Sequence, residues 1–569
     1  MAIVPRQRSA ESEASEPNRP GSLDPQELGF TRKGPIGWLA PLLLLSTGLR
    51  TLLHILFGAY LDKRELQNAL DGDIFDHSTT ATGELWLDYV ADLGDGFDAT
   101  YSVAYLLAQA ELEVDGERLP RGRLLLMGGD QVYPLASGDG YENRMKGPYR
   151  AALPEAPAGA PRPTLFALPG NHDWYDGLTA FLRLFARRKD GHIGGWRTEQ
   201  RRSYFAVKLP ANWWLFGVDE QFGAYIDDPQ LLYFEKAAEL VGPDDRIILM
   251  TPSPTWVKAR ENPDAYDAID YFIRTILAPT QAHVRVLVSG DLHHYARYSG
   301  EDRELITCGG GGAYTLGTQN LPDHLMVPPK ESLSRSSSRS RRYERKAAFP
   351  DRAMSKRMGW SVFHRVPRHN AGFATMLGIT QTLTMLAMAG AASQGGNIQR
   401  LFSIPLVLML VLIMLGTVLF AKPVGRARHL VFGAAHGLSQ IGLAVGGTWV
   451  WLQFPFRDWR WPGPLAVAAL AYGPLIAIAS TQLLALYLLV AARFDVNLNE
   501  LYAGQGIEHA KSFLRMHIDA DGTLTIHPIG VDRICKDWEA DPDGDAHASW
   551  LRPLTPLTAR RIEPPITVT

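Results

Sequence analysis

Leu124-Leu125-Leu126-Met127-Gly128-Gly129-Asp130-Gln131-Val132-Tyr133-Pro134 joins an apolar run of strand length to two glycines, an aspartate and a tyrosine. A run this apolar reads as a parallel strand buried on both faces. Its end then falls in the crevice at the carboxyl edge of a sheet, where open α/β folds bind ligands. Asp130 and Tyr133 are oxygen donors placed at such an edge. Three other apolar runs end in a similar way, and the expectation is that all converge on Asp130 as the centre of a metal site.

Around this stretch, from about Leu85 to Leu316, short apolar runs alternate with helical segments, as in α/β domains. Strands are expected at Leu85–Ala91, Arg123–Met127, Leu165–Leu168, Trp213–Val218, Arg246–Met250 and Val284–Val288. Helices are expected at Thr100–Glu111, Thr179–Arg187 and Gln230–Leu240. Residues 85–320 are thus the candidate catalytic domain.

The rest of the 569-residue chain is too much for one ordinary domain. Its mean hydropathy of -0.09 averages a charged half, up to about Arg368, with a strongly apolar one, up to about Ala492. Net charge is -3, which offers no bulk attraction to nucleic acid. Two cysteines, Cys308 and Cys535, make no disulfide framework and fit a reducing compartment.

Residues 1–34, rich in Ser, Glu, Pro and Arg, are expected to be disordered. Residues 35–65 open with Gly37-Trp38-Leu39-Ala40-Pro41-Leu42-Leu43-Leu44-Leu45 and form a hydrophobic segment. It starts too late for a signal peptide and lacks a small-residue cleavage pattern. Arg50 and His54 near its middle favour an interfacial amphipathic element over a span.

Residues 321–368 read as a Ser/Arg/Lys-rich linker, with Ser334-Arg335-Ser336-Ser337-Ser338-Arg339-Ser340-Arg341-Arg342 inside it. Such a run is a solvated linker by default and also suits a flank touching anionic headgroups. Residues 369–492 carry four apolar stretches near 371–393, 401–421, 429–453 and 465–492. Each reaches the roughly 20 residues that cross a bilayer. Lys422, Arg426, Arg428 and Arg493 flank one side of them, Arg457 and Arg460 the other. The basic flank before the first span assigns the catalytic domain and the tail, 493–569, to the cytoplasmic side. In the tail, alternating apolar residues on either side of Asp521-Gly522 predict a β-hairpin in a small soluble cap docked on the catalytic domain.

Four strand ends carry the polar residues: Asp92-Leu93-Gly94-Asp95-Gly96, Gly129-Asp130-Gln131-Val132-Tyr133, Gly170-Asn171-His172-Asp173 and Ser289-Gly290-Asp291-Leu292-His293-His294. Each alone passes for a turn or a helix cap. Turns do not require His, Asn and Tyr at one sheet edge.

The order D-x-G, G-D-x-x-Y, G-N-H-D and G-x-x-H resembles the calcineurin-like metallophosphoesterase superfamily, and within it the purple acid phosphatases, which pair D-x-G with a tyrosine ligand. Gly217-Val218-Asp219 and Gln230-Leu231-Leu232-Tyr233-Phe234 fit the same pattern. The resemblance covers about residues 85–316. It implies an α/β fold: a metallophosphoesterase-type β-sandwich with flanking helices, here followed by an α-helical membrane domain of about four spans and a small β-containing tail. It also implies that Asp92, Asp130, Tyr133 and His293 hold a first metal. Asp130 bridges to a second, with Asn171 as a further ligand. His172 is the implied catalytic acid, and a metal-activated hydroxide the implied nucleophile. A phenolate ligand suits ferric iron.

The chain departs from the family at two positions. Thr251-Pro252-Ser253-Pro254-Thr255 has Pro252 where a ligand histidine is usual, and Asp291 replaces the first histidine of G-H-x-H. Asp130, Asn171 and Asp291 form an oxygen-only set, better matched to Mn²⁺ or Mg²⁺ than to Zn²⁺. The expected cofactor is a binuclear centre of iron and/or manganese, with zinc and magnesium as alternatives; a one-metal or inactive site is the other outcome. The expected function is a membrane-anchored phosphoesterase acting on a phosphomonoester or phosphodiester, lipid-linked or soluble. The alternative is a catalytically weakened binding or signalling membrane protein. A transporter-like unit ranks last, because the spans lack paired acidic residues.

Other residues have two readings each. Trp174 and Tyr175 either stack on a ligand or pack the loop. Gly309-Gly310-Gly311-Gly312 either offers N–H groups to a phosphate or makes a tight turn. Asp95 is an alternative first-metal ligand, His294 a neighbour of the ligands or a surface residue, and His436 a membrane-site residue or a packing one.

Overall fold

The computed structural model describes residues 19–44, 46, 65–70, 72–156, 162–186, 191–220, 225–332, 337–392, 396–421, 426–545 and 547–569. Leu85–Val90, Leu124–Met127 and Thr164–Ala167 run parallel. Trp213–Gly217, Arg246–Thr251 and His283–Ser289 form a second parallel set, extended by Glu304–Cys308. Among the described residues, each set sits inside a nine-stranded sheet.

Side-chain alternation explains why these runs are apolar throughout. Leu87, Leu126 and Phe166 of the first sheet share a core with Leu215, Ile248 and Val286 of the second. Val90, Leu125 and Met127 instead pack with Tyr101, Val103 and Leu107 of the helix Phe97–Ala108. Ile247 and Leu249 of the second sheet pack with Phe234 and Ile269, from the helices Asp228–Ala238 and Asp267–Phe272. The result is a sandwich of two sheets with helices outside each. All of Leu124–Met127 is buried, and each leucine taken fully out of water contributes about 1.5–3 kcal/mol.

The basic stretch 321–368 is corrected: most of it is not a solvated linker. His324–Val327 and Arg341–Phe349 pair antiparallel, and Arg341–Phe349 also pairs with Tyr295–Ser299 at the edge of the second sheet. Tyr343 and Phe349 turn inward while Arg341, Arg342 and Glu344 face water, so the alternation was present beneath the charge. Arg352–Trp360 and Val362–His369 are helices. Ser334, Arg335 and Ser336 lie outside the described residues.

The tail is corrected too. Its hairpin forms from Lys511–Ile518 and Leu524–Val531. Lys511–Ile518 then pairs antiparallel with Leu85–Val90, so the tail completes the first sheet instead of capping it. The join is pinned by charge: Arg515 is fully buried and meets Asp88 through Nε–Oδ1 at 2.7 Å and Nη2–Oδ2 at 3.0 Å. Nη1 and Nη2 also donate to Leu119 O at 3.1 Å and Leu107 O at 3.2 Å. A buried guanidinium is tolerated only when satisfied this fully.

Four helices, Ala371–Ala391, Gln399–Phe420, Ala427–Leu452 and Gly463–Phe494, are long and apolar enough to cross a membrane. Leu401, Ile404, Leu408 and Leu415 stand exposed on the second, as lipid-facing residues do. Gln381 and Ser480 both donate to Gln440 Oε1, at 2.9 and 2.7 Å, and tie three of the helices together. His436 stacks on Tyr487 with ring centroids 4.3 Å apart, as a packing residue. Arg50, His54 and Lys422 lie outside the described residues, as do the side chains of Arg426 and Arg457.

Candidate metal centre

The four strand ends meet at one place. Asp92, Asp130 and Asp291 all have left-handed backbone, with φ of 61°, 48° and 65°. Aspartate tolerates that region better than most side chains, and each turn there carries its carboxylate back over a sheet edge. Glycines admit the close approach. A Cβ on Gly170 would lie 2.1 Å from Asp130 Oδ1, and one on Gly309 2.3 Å from Asp92 Oδ2.

Tyr133 is the hub. Its hydroxyl oxygen lies 3.0 Å from Asp92 Oδ1, 3.1 Å from Asp130 Oδ2 and 3.0 Å from His293 Nε2. Asp92 Oδ1 and His293 Nε2 are 3.8 Å apart. Burial, then Asp130 and Asp291, pushes the Asp92 carboxyl well above its ordinary range. Burial also raises Asp130, with His172 opposing and Asp291 adding to the rise. Burial and the two aspartates hold the Tyr133 phenol protonated far past its usual pKa. Burial keeps His293 neutral, the form in which imidazole binds metals. Buried carboxylates that repel one another lack positive charge, and a bound cation would relieve them.

Among the described residues, no three His, Cys, Asp or Glu side chains form a metal-holding group by themselves. The phenol is what unites these donors, and the set of two carboxylates, phenol and imidazole suits a hard, highly charged ion. The first-metal residues therefore fit the group that the sequence implies.

The other corner is built differently. Asn171 lies between Gly170 and His172, whose N–H donates to Asp130 Oδ1 at 2.9 Å. Asp291 N–H donates to both oxygens of Asp92, at 3.1 and 2.8 Å. Asp291 Oδ2 pairs with Lys258 Nζ at 2.7 Å. Pro252 is close by: a Cβ on Gly129, next to Asp130, would lie 3.4 Å from its Cβ. Glu220 is buried with Oε1 unpartnered, and burial raises its carboxyl to about 8, with Lys258 opposing and Asp219 and Asp291 adding to the rise. Neither Lys258 nor Glu220 belongs to a motif, so sequence reasoning missed both. A lysine six residues past Pro252 was the only trace.

The remaining residues sort themselves by contact. Asp95 accepts from Ile36 N at 2.8 Å, Trp38 Nε1 at 3.2 Å and Tyr314 N at 3.1 Å, so it anchors the N-terminal segment. Trp38, also missed, sets its ring edge-on to Tyr133, His172 and Tyr314 at 5.6–5.8 Å between centroids. His172 Nδ1 lies 2.7 Å from Pro134 O, which only accepts, so Nδ1 carries the hydrogen and Nε2 is left for chemistry. Asp173 holds two loops together through Gly170 N at 2.8 Å, Gln131 N at 3.2 Å and the Tyr141 hydroxyl.

Trp174 is buried, with Nε1 on Asp219 Oδ1 at 3.4 Å, and packs the loop. Tyr175 sets its ring against His172 at 5.4 Å. His294 is buried and kept neutral by burial, its pKa lowered to about 4. The glycine run serves packing: Gly309 and Gly311 N–H groups are taken by His294 O and Ala91 O, and a Cβ on Gly310 would lie 2.3 Å from Ser512 Oγ.

The site borders the long apolar helices. Leu39 shares a cluster with Tyr314, Val366, Phe373 and Leu488, with Leu292 packed against it. Leu39 N donates to Asn370 Oδ1 at 3.2 Å, and His369 Nε2 lies 3.2 Å from Ile36 O.

No protein-family model matches the chain, and no curated protein is significantly similar to it. Solved structures share a likeness at a TM-score of 0.29 each. GAP50, described as the anchor in the inner membrane complex of Plasmodium, is 12% identical over 48% of this chain and 93% of its own. PhoD is 10% identical over 42% of this chain and 59% of its own. The purple acid phosphatase PPD1 from yellow lupin (Lupinus luteus) seeds is 11% identical over 44% of this chain and 49% of its own. The chain thus spans about half of the latter two.

Proposed function

We propose that the protein is a membrane-attached, metal-dependent phosphoesterase whose site opens beside the cytoplasmic ends of its apolar helices. One observation carries this reading: Asp92, Asp130 and His293 each place a donor atom within 3.0–3.1 Å of the Tyr133 hydroxyl. Asp92, Asp130, Tyr133 and His293 would hold the ion, which supplies Lewis acidity and ionises water near neutral pH.

The chain's own groups do the rest. His172, its tautomer set by Pro134 O, presents Nε2 to protonate the departing ester oxygen or to bind phosphoryl charge. Its N–H contact to Asp130 Oδ1 keeps the ring in step with the metal donors. Trp38, Tyr133 and Tyr314 close one side against water. The packing of Leu39 and Leu292 beside the apolar helices supports a phosphoester drawn from the bilayer surface, and the basic residues before the first of those helices support a cytoplasmic side for the catalytic sandwich and the tail.

The test is metal analysis of the purified chain together with turnover of p-nitrophenyl phosphate and bis(p-nitrophenyl) phosphate, with Mn²⁺ and with iron. Turnover that depends on metal and disappears in Asp130→Ala supports the reading. A chain that binds no metal and is inert on both esters ends it, and leaves a phosphate-binding role as the better account.

A further inference from the structure

We propose that the Lys258 ammonium stands in for the second metal ion, so that the site works with one metal beside one fixed organic cation. This rests on the phosphoesterase reading above and concerns the corner that departs from the family. Two losses there, Pro252 and Asp291 in place of imidazoles, leave Asp130, Asn171 and Asp291 as an oxygen-only set. Asp291 Oδ2 is already engaged by Lys258 Nζ at 2.7 Å. The same Asp291 donates its N–H to both oxygens of Asp92, so the ion pair abuts the first-metal donors directly.

The source of the lysine is the replaced segment itself. Thr251-Pro252-Ser253-Pro254 leads straight into the short helix Thr255–Lys258, whose last residue reaches the carboxylate. The segment with Pro252 in place of an imidazole thus supplies a cation six residues later, at the same corner. Glu220, buried with Oε1 unpartnered, lies among the same charges, and Lys258 opposes the rise that burial imposes on its carboxyl. A divalent ion and a fixed ammonium compete for Asp291, because like charges at contact distance exclude each other in a partly dry site.

The exchange has a chemical meaning. An ammonium is a point charge with three donors and a recognised binder of phosphate oxygens. With one donor on Asp291, Lys258 has others for a phosphoryl oxygen, so it can orient the ester and stabilise charge as it builds. It cannot ionise water as a metal does, which leaves nucleophile formation to the first-metal donors.

The experiment counts Mn²⁺ per chain by elemental analysis on the full-length protein in detergent, after excess ion is removed, with circular dichroism confirming that each variant is folded. Wild type and Lys258→Arg should hold one Mn²⁺. Lys258→Ala should hold two, with the spin-coupled signal of a manganese pair, or bind the second at least tenfold more tightly than wild type. Lys258→Ala combined with Asp291→Ala should return to one. Two Mn²⁺ in wild type, or one in Lys258→Ala with no gain in affinity, overturns the proposal and leaves the phosphoesterase reading standing. A wild type that holds neither Mn²⁺ nor iron and is inert on both esters overturns both.

Discussion

The two corners of the site sit on one pair of sheets, yet they are made in opposite ways. The Asp92–Tyr133–His293 corner gathers donors from the ends of the central strands, with Asp92 and Asp130 in left-handed backbone and closely approached by Gly309 and Gly170. The Asn171–Asp291 corner lacks imidazole and is filled from outside the strand ends, by Lys258 on a short helix. Rigid strand ends preserve a ligand constellation. A loop between strand and helix can place a charge beside that edge without disturbing the sheet.

The comparison breaks most plainly at Asp130. Asp130→Ala should cost about 10⁴-fold in ester turnover and remove the bound metal, measured by kinetics and elemental analysis, since metal chemistry is worth several kcal/mol. Retained turnover would show that the corners are not organised around this residue. Next is the buttress of the first corner. Arg515→Met leaves Asp88 buried without its partner and should destabilise the fold by about 3–5 kcal/mol, read from denaturant unfolding.

A pH titration sharpens the same corner. Lys511 Nζ is buried, donating to Ala313 O and to Thr315 Oγ1 at 2.8 Å, and burial lowers its pKa to about 8. Between about pH 8 and 10.5 the unfolded chain binds more protons than the folded one, so stability rises with pH across that window, by at most about 3 kcal/mol. The rise should appear in wild type and be missing from Lys511→Met, with other groups cancelling in the difference. His172→Ala should cost about 10²-fold in turnover while the metal stays bound, which separates proton transfer from metal binding. The smallest effect is expected from Trp38→Ala, a few-fold rise in KM with metal content unchanged, because that ring covers the site and donates no ligand atom.

Much of this was readable along the chain. Buried parallel strands announce themselves by unbroken apolar runs, so Leu124–Met127 and its neighbours were found to within a few residues. The helix expected at Thr100–Glu111 runs three residues earlier, from Phe97 to Ala108, directly after Gly96. The residues Asp92, Asp130, Tyr133 and His293 stood out because each lies within six residues of the end of such a run, and the structure brings all four together. Arg341–Phe349 was read as linker because its charges hid a period of two carried by only Tyr343 and Phe349 at the fully buried positions.

Local pattern therefore set the strands, their order of motifs and the apolar helices, since burial periodicity and turn chemistry act between near neighbours. Contacts between segments distant along the chain came only with the folded chain. Arg515 finds Asp88, Trp38 covers Tyr133, and Lys258 meets Asp291 because the sheet order brings those segments together. Nothing in the spacing of a lone lysine, arginine or tryptophan records which distant carboxylate or ring it will touch. The electrostatic cost of leaving such charges alone in a dry interior makes those meetings decisive.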